Sequence, residues 1–585
     1  MALNQQNVQF EAGFIPRINL GGAQPPTSQV NMDAAVAELA ANKETWAALT
    51  LDERISILDQ CLLDLYDVGE EWVAASIEAK GVQGNNYAEA EEWAQFGYIL
   101  RNIRLLVKSL RDIRRSGRPQ IPGPVNTSPG GQVYAKVFPV DRYDSMLFSG
   151  MTAEVWMQPG LTREEVLDNQ AWFYRQEPGG GKVNLVLGAG NGAMLVPVDF
   201  LYKLFVEGSV VLLKMNPVND YLGPIIEKGF RALIDQGYLH IIYGGVQEGS
   251  YLCHHPSVDE LHMTGSDKTF EAILFGLDEE GQKRKEERQP LIDKRFTCEL
   301  GNVTPVIVVP GPWTQEEIDD WGEKLARWLV INAGFNCLTP RVIIQSATWE
   351  HRRDLTDAIG KNLAGVQTRK AYYPGAEQRH EEFLTVHPRC DQHGLPGDGH
   401  LPWTLIQDVD PANKDDICFK NEAFCGLFAE TALSAENVPS FIASAVDFAN
   451  EHLWGNLTAT IIVHPRSLED SLIAQAVERA VADLRYGTVL INQYAAFGYF
   501  AMTTPWGAYP GNTIYNIQSG IGVNCNTLMF HSPQKTVVRN PFTISPDPLS
   551  LHAQNSMKIS QLMSELQFKP SLWKLPGMLW YAIRS

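Results

Sequence analysis

The sequence predicts an α/β fold with a parallel sheet, from one supersecondary unit and from the alternation that follows it. A short Val- and Leu-rich run at 183–187 precedes a glycine turn at 188–193. A helical pattern then leads to a second apolar run at 210–214. Strand, turn, helix and strand in this order form a βαβ unit, which joins parallel strands. Strand-like and helical patterns continue to alternate until about residue 492.

Other elements follow from local patterns. Thr50 and Glu53 form a capping-box signature ahead of a helix, and residues 85–115 repeat the helical period. Residues 133–138 alternate as a strand does. We also predict a helix at 224–236 and a solvated surface helix in the mixed charge run at 278–288. Short strands are expected at 240–243, 260–263, 295–297 and 306–309.

Composition restricts the class of protein. Of 585 residues, 44% are hydrophobic and 20% are charged, which is typical of globular chains. The formal charge of −20 argues against nucleic acid or an anionic membrane as a default partner. The polar start, MALNQQNVQF, does not resemble a signal peptide, and there is no apolar run of about 18 residues. Eight sparse cysteines without a CxxC pair favour reduced thiols and a cytoplasmic location.

The glycine turn is the first candidate site. Gly188, Gly190 and Ala193 fit the fingerprint in which a backbone turn approaches a dinucleotide pyrophosphate at a helix N-terminus. That fingerprint expects an acid at the end of the second strand, where this chain has Lys214. The alternative is a tight βα turn that binds nothing.

Cys337 and Glu299 are candidates for chemistry. Cys337 follows a helical pattern and stands beside Gly334 and Asn336, so it is a possible nucleophile with an oxyanion-binding amide nearby. Glu299 lies between two strand-like runs, where an apolar setting raises a carboxyl pKa towards that of a general base. Taken singly, an inert buried cysteine and a strand-end ion pair are the better explanations of these two residues.

Taken together, these motifs resemble the NAD(P)-dependent aldehyde dehydrogenase superfamily over about residues 30–530. Asn191 stands where the family has its catalytic asparagine, and Lys214 closes the next strand at the family's spacing. The remaining motifs are matched in order by Thr264-Gly265-Ser266, Glu299-Leu300-Gly301-Asn302, Gly334-Phe335-Asn336-Cys337, Glu422-Ala423-Phe424-Cys425-Gly426, Gly487-Thr488-Val489 with Asn492, and Pro505-Trp506-Gly507.

The resemblance implies an enzyme that oxidises a small-molecule aldehyde to a carboxylic acid with NAD or NADP. Cys337 would be the nucleophile, Asn191 would hold the oxyanion, and Glu299 would activate water. The cofactor would contact Lys214, Gly265, Ser266, Glu422 and Phe424.

The same resemblance implies an aldehyde dehydrogenase-like fold with a Rossmann-like cofactor domain built on a five-stranded parallel sheet. It adds an α/β catalytic domain, a small β oligomerisation extension, and a homodimer or homotetramer. The expected segments are an N-terminal arm (1–29), a cofactor-binding domain (30–297, with part of 133–180 in oligomerisation), a catalytic domain (298–494), a return to the cofactor domain with an oligomerisation segment (495–540), and a C-terminal tail (541–585).

The chain departs from the family pattern at three positions. Pro217 replaces an acid that holds the adenosine ribose, so NADP becomes possible. Phe270 replaces a glycine, which we expect to reshape the pyrophosphate site, and Phe335 replaces a glutamine near the nucleophile.

Three other functions stay open. A CoA-acylating aldehyde dehydrogenase, or acyl-CoA reductase, would pass the acyl group to CoA instead of water, although Glu299 favours hydrolysis. A non-catalytic structural or binding member of the superfamily is the second alternative. A cysteine hydrolase is weaker, because no His stands in a motif near Cys337.

The tail adds a separate question. Its aromatic and apolar residues from Trp573 to Tyr581 suit a membrane interface or a long apolar substrate. Packing on a neighbouring subunit is the simpler interpretation, and the charge of −20 disfavours anionic lipid.

Overall fold

The computed structural model describes residues 24–128, 130–175, 180–394, 397–543, 547 and 550–584. Most of the predicted N-terminal arm (1–29) lies outside the described residues, and helix α1 already begins at Gln29.

Strands and helices alternate along the described chain. The strands are β1 (Val125–Thr127), β2 (Val133–Phe138), β3 (Thr152–Met157), β4 (Val183–Leu187), β5 (Val210–Lys214), β6 (Leu239–Ile242), β7 (Glu260–Thr264), β8 (Arg295–Glu299), β9 (Thr304–Val308), β10 (Pro340–Ser346), β11 (Arg369–Lys370), β12 (Asp391–His393), β13 (His400–Leu401), β14 (Trp403–Val409), β15 (Leu427–Leu433), β16 (Thr458–Ile462), β17 (Thr488–Ile491), β18 (Pro505–Trp506), β19 (Gly520–Ile521), β20 (Asn524–Cys525) and β21 (Pro533–Arg539). The helices are α1 (Gln29–Ala48), α2 (Leu51–Asp67), α3 (Gly69–Lys80), α4 (Asn86–Ser116), α5 (Arg142–Leu147), α6 (Arg163–Asp168), α7 (Leu195–Phe205), α8 (Gly223–Gly229), α9 (Arg231–Ile234), α10 (Val246–His254), α11 (Asp267–Leu274), α12 (Glu279–Glu286), α13 (Gln315–Val330), α14 (Arg352–Ala364), α15 (Ala376–Val386), α16 (Ile417–Lys420), α17 (Val438–His452), α18 (Ser471–Asp483), α19 (Ala496–Phe500), α20 (Ser556–Phe568) and α21 (Leu575–Ile583).

The first sheet has the strand order β19-β8-β7-β4-β5-β6. Its last five strands run parallel, and β19 pairs antiparallel with β8. The parallel βαβ prediction is therefore confirmed, with a sixth strand that arrives from far along the chain. Because β4, β5, β7 and β8 run in the same direction, the residues after their carboxyl ends meet at one edge, where open α/β sheets bind ligands.

The second sheet is larger and has the order β1-β2-β3-β21-β17-β16-β9-β10-β15-β14-β12. The strands from β21 to β14 run parallel, and β1 to β3 form an antiparallel extension along β21. Strands of 133–180 and of the chain after 495 thus meet in this extension, while β19 joins the first sheet. The return segment is therefore shared between the two sheets.

Local sequence explains where several helices begin and end. The capping box at Thr50 is formed, with Glu53 accepting from the Thr50 backbone N–H at 2.8 Å. The single helix predicted for 224–236 is wrong, because α8 and α9 are separated at Phe230, which has φ −121° and ψ 24°. Phe230 is buried and packs edge-on against Phe200, so the break lets its ring enter the core.

The tail is held by helix packing. Helix α20 lies along α4, where a Cβ at Gly97 would come within 2.7 Å of the Ser564 hydroxyl. Among the described residues, no helix is long and apolar enough to cross a membrane.

Candidate active site

The cysteine loop is set by three successive residues with positive φ. After α13, the chain passes through Asn332 (φ 51°), Ala333 (φ 54°) and Gly334 (φ 77°), which brings Cys337 to the start of β10. Left-handed backbone is unfavourable for Ala by about 1 kcal/mol. A Cβ at Gly334 would lie 2.3 Å from the Cys425 carbonyl oxygen, so only glycine allows this approach.

Asn332 locks this loop to the glycine turn. Its side-chain amide donates to the Asn191 carbonyl at 2.8 Å and to the Phe335 carbonyl at 3.2 Å. The Tyr372 hydroxyl lies 2.8 Å from the same Asn191 oxygen and 2.9 Å from Asn332 Oδ1. All of these groups are buried, so the bonds fix the loop firmly.

Asn191 itself crosses from the glycine turn into the cysteine loop. Its Nδ2 donates to the Phe335 carbonyl at 3.0 Å, two residues before Cys337. A side-chain amide has two N–H donors, so one remains for a ligand. Asn191 and Cys337 are therefore brought into one site, as the resemblance implies.

Glu299 and Cys337 lie beside each other and influence each other's ionisation. The Trp506 indole N–H lies 3.4 Å from Glu299 Oε1. Burial raises the pKa of Glu299 to about 8, and the negative charges of Asp199 and Glu422 contribute. Burial and the two glutamates also raise the pKa of the Cys337 thiol. The resting thiol is thus protonated, with the Glu299 carboxyl group next to it.

A buried polar cluster lies beside Glu299. Thr264 pairs with Glu299 across β7 and β8, and its hydroxyl donates to Asp199 at 2.8 Å. The Asn524 amide donates to the other Asp199 oxygen at 2.8 Å. Burial lowers the pKa of neighbouring His262, so this imidazole is neutral and leaves the Asp199 charge uncompensated.

Two buried ionisable groups at the candidate cofactor edge are incompletely paired. Among the described residues, the ammonium of Lys214 makes no hydrogen bond and no ion pair within 4.0 Å, and burial lowers its pKa to about 8 although the charge of Glu248 opposes this. Glu422 Oε1 is buried without a partner, while a Cβ at Gly301 would meet the other Glu422 oxygen at 2.0 Å. Burial raises the pKa of Glu422 to about 7. An unpaired donor and an unpaired acceptor fit the ribose hydroxyls of a dinucleotide.

The remaining predicted cofactor residues occupy the same edge or the cysteine loop. Gly265 follows β7 and donates its N–H to the Glu299 carbonyl at 3.0 Å. Ser266 is exposed and caps α11 by accepting from Thr269 N. The Phe424 ring lies 6.0 Å from that of Phe335.

Gly190 and Phe270 were both predicted to shape the pyrophosphate site, but packing inside the protein explains both residues. A Cβ at Gly190 would lie 2.7 Å from Asn216 Oδ1, so its glycine is already explained by packing against the next βα turn. Phe270 is fully buried against Phe296, on the inner side of α11, so its bulk goes into the core.

Sequence patterns missed Asn332, Tyr372 and Arg341. The Arg341 guanidinium is buried and donates to the Gly334 and Cys425 carbonyls, both at 2.7 Å. An Asn just after a helix favours left-handed backbone and is the one local signal that was available. Nothing in the sequence near Tyr372 indicates its contact with Asn191.

Part of the chain matches a known protein family. Residues 149–387 match the model of the aldehyde dehydrogenase family. This segment is therefore similar to the aldehyde dehydrogenase family, and the fold of the described chain is that of aldehyde dehydrogenase structures. An N-succinylglutamate 5-semialdehyde dehydrogenase of Novosphingobium aromaticivorans is 26% identical over 191 residues, which cover 32% of this chain and 37% of that relative. 4-Trimethylaminobutyraldehyde dehydrogenase A of Danio rerio is 24% identical over 63% of this chain and 68% of its own length.

Solved structures show the same fold. Glyceraldehyde-3-phosphate dehydrogenase of Methanocaldococcus jannaschii, complexed with NADP, superposes with a TM-score of 0.59 at 15% identity, covering 88% of this chain and 95% of that one. An aldehyde dehydrogenase C mutant of Pseudomonas syringae, complexed with NAD⁺ and octanal, gives a TM-score of 0.59 at 14% identity. The match covers 89% of this chain and 91% of that one.

Proposed function

We propose that this protein oxidises an aldehyde to a carboxylic acid with NAD or NADP. The placement of the Cys337 thiol beside the buried Glu299 carboxyl, so that each group shifts the pKa of the other, is the observation that carries the proposal. A nucleophile, a base in contact with it, and the Asn191 amide in the same loop system form the constellation that acyl-transfer chemistry requires.

Lys214 and Glu422 would hold the cofactor, since each offers an unpaired polar group at the edge of the parallel sheet. Ser266 would contact the pyrophosphate, and Phe424 would pack by the nicotinamide ribose. When bound, the cofactor supplies the hydride acceptor. Pro217 is exposed and carries no charge that would repel a 2′-phosphate, so either NAD or NADP fits this edge.

Cys337 starts the reaction on the protein side. Glu299 takes the thiol proton, and the thiolate sulfur bonds to the aldehyde carbon to give a thiohemiacetal. The free N–H of the Asn191 amide and the backbone N–H of Cys337 donate to the oxyanion that forms. After hydride loss, the acyl group remains on sulfur as a thioester.

The proton taken from the thiol then passes from Glu299 to solvent, which leaves a carboxylate that acts a second time. This carboxylate takes a proton from water, whose oxygen attacks the thioester carbon and releases a carboxylic acid and the thiol. A pKa of about 8 places this base close to cellular pH, where general bases are most effective.

Location and assembly are also proposals. All eight cysteines are free in the structure, which fits a cytoplasmic enzyme with reduced thiols. The antiparallel extension ends in the edge strand β1, which supports its use in pairing subunits to a dimer or tetramer.

The test measures NAD and NADP reduction by the purified protein with aldehydes of increasing chain length, with and without CoA. We expect turnover that needs no CoA, releases the free acid, and is lost in Cys337→Ala. The matched control is Cys390→Ala, which removes a half-buried thiol away from the site. Turnover that requires CoA and survives Glu299→Gln would instead identify an acyl-CoA reductase. No turnover with any aldehyde would contradict both.

A further inference from the structure

A stripe of apolar side chains lies on the surface of the C-terminal tail. The C-terminal stripe consists of Leu572, Trp573, Pro576, Leu579 and Trp580, spaced three and four residues apart as on one helix face. Trp573 is 93% exposed, Leu579 60% and Trp580 49%. Single exposed apolar residues are ordinary, but a cluster of this kind marks an interaction site.

The stripe is mounted on a fixed support. Helix α20 is bound to α4 by the Ser564 hydroxyl, which donates to the Trp93 carbonyl at 2.6 Å. Phe568 stacks on Tyr66 with ring centres 3.9 Å apart. Met578 is buried and holds α21 from its inner side. The side chains of the C-terminal stripe therefore remain exposed to water although the helices that carry them are packed against the rest of the protein.

The charge around the stripe opposes that of the rest of the molecule. Residues 556–585 contain four basic residues and one acidic residue, in a chain whose formal charge is −20. The acidic residue, Glu565, lies 3.7 Å from Lys574. Lys569 is exposed, and the guanidinium of Arg584 stands 4.2 Å from the Trp580 ring. The local surface is thus apolar, aromatic and cationic.

We propose that the C-terminal stripe docks this protein onto the surface of an anionic phospholipid bilayer. Tryptophans prefer the interfacial layer, and lysine and arginine beside them attract anionic headgroups. The nine residues of α21 are far too few to span a bilayer, so the contact is peripheral. A symmetric contact between two stripes would bring like charges together, which disfavours a second copy as the occupant.

Cosedimentation of the full chain with vesicles tests the proposal. One set of vesicles is phosphatidylcholine alone, and the other contains phosphatidylserine at about one lipid in three. We expect the protein to partition about tenfold more strongly onto the anionic set, with a steep loss at high salt. The double variant Trp573→Ser/Trp580→Ser should lose about tenfold of that binding.

Two controls separate lipid docking from other causes. Leu472→Ser removes a similarly exposed apolar side chain on α18 and should leave binding unchanged. Lys569→Glu/Arg584→Glu should weaken binding to anionic vesicles while dehydrogenase activity persists. Equal sedimentation of wild type and the tryptophan double variant would overturn the proposal. It would also be overturned if neither vesicle bound and light scattering showed that the double variant dissociated an oligomer, since the stripe would then join copies of this chain.

Discussion

The cysteine loop and the cofactor edge of the sheet differ in how their buried polar groups are paired. In the loop, Asn332 and Tyr372 use their polar atoms to join two backbone segments. At the edge, Lys214 has no partner among the described residues and Glu422 leaves an oxygen unpaired. Burying an unpaired polar group costs free energy, which a ligand recovers when it binds. The cysteine loop is thus organised before any ligand arrives, whereas the unpaired groups at the cofactor edge would find partners only in a ligand.

Removing the base inside the organised region should have the largest effect. Glu299→Gln keeps the shape of the side chain but cannot accept a proton, so we expect steady-state turnover to fall about 10²- to 10⁴-fold. Because Glu299 also takes the thiol proton, rapid-mixing fluorescence should show that the first equivalent of reduced cofactor per site forms more slowly than in wild type. Full steady-state turnover in this variant would contradict the role of Glu299.

The organisation of the loop can be broken without touching a reacting group. Asn332→Ala removes the amide that joins Asn191 to the cysteine loop, and we expect kcat to fall about 10²-fold because the nucleophile loses its orientation. The cofactor KM should stay close to that of wild type. The control is Asn362→Ala, which removes a hydrogen bond from a side-chain amide to the Ala358 carbonyl on α14. It should change neither kcat nor the cofactor KM.

A substitution at the cofactor edge should change the KM of the cofactor and leave kcat unchanged. Lys214→Met removes the unpaired ammonium, and we expect the cofactor KM to rise about 10- to 100-fold. Lys268→Met, at an exposed position on α11, should leave it unchanged. Since the pKa of Lys214 is about 8, the wild-type cofactor KM should also rise as the pH passes above 8 and the ammonium loses its proton. A pH-independent KM in wild type would contradict this assignment.

The smallest expected effect is a change in pH dependence. Glu299 works as a base when deprotonated, so activity should rise with pH through about 8. Asp199→Asn removes a negative charge that raises the Glu299 pKa, so the midpoint should move to lower pH. Asp235→Asn, at an exposed position, should leave the midpoint in place.

Local periodicity located the elements that carry the site. The runs at 183–187 and 210–214 coincide with β4 and β5, because a buried parallel strand needs an unbroken apolar sequence. The helix predicted for 224–236 failed because a core contact of Phe230 outweighed helical propensity. The family resemblance was confirmed by comparison, while the individual roles of Cys337 and Glu299 stay predictions.

The groups that position the site were beyond reach of the sequence. Tyr372 contacts Asn191 across 181 residues of chain, and Trp506 contacts Glu299 across 207. Only the folded topology brings such residues together. The net charge of −20 likewise left the local charge of the tail undetermined, because a total charge does not report the sign of one local surface.

The antiparallel strand β19 has a consequence for biosynthesis. Glu299 of β8 pairs with Gly520 of β19. Nearby, the Gly301 carbonyl accepts a hydrogen bond from the Ser519 hydroxyl at 2.8 Å. These partners leave the ribosome more than 200 residues after Glu299 itself. A nascent chain that has completed β17 still lacks the indole and the strand that hold its base. The surroundings of Glu299 are therefore complete only after these late segments have been translated and have folded back onto β8.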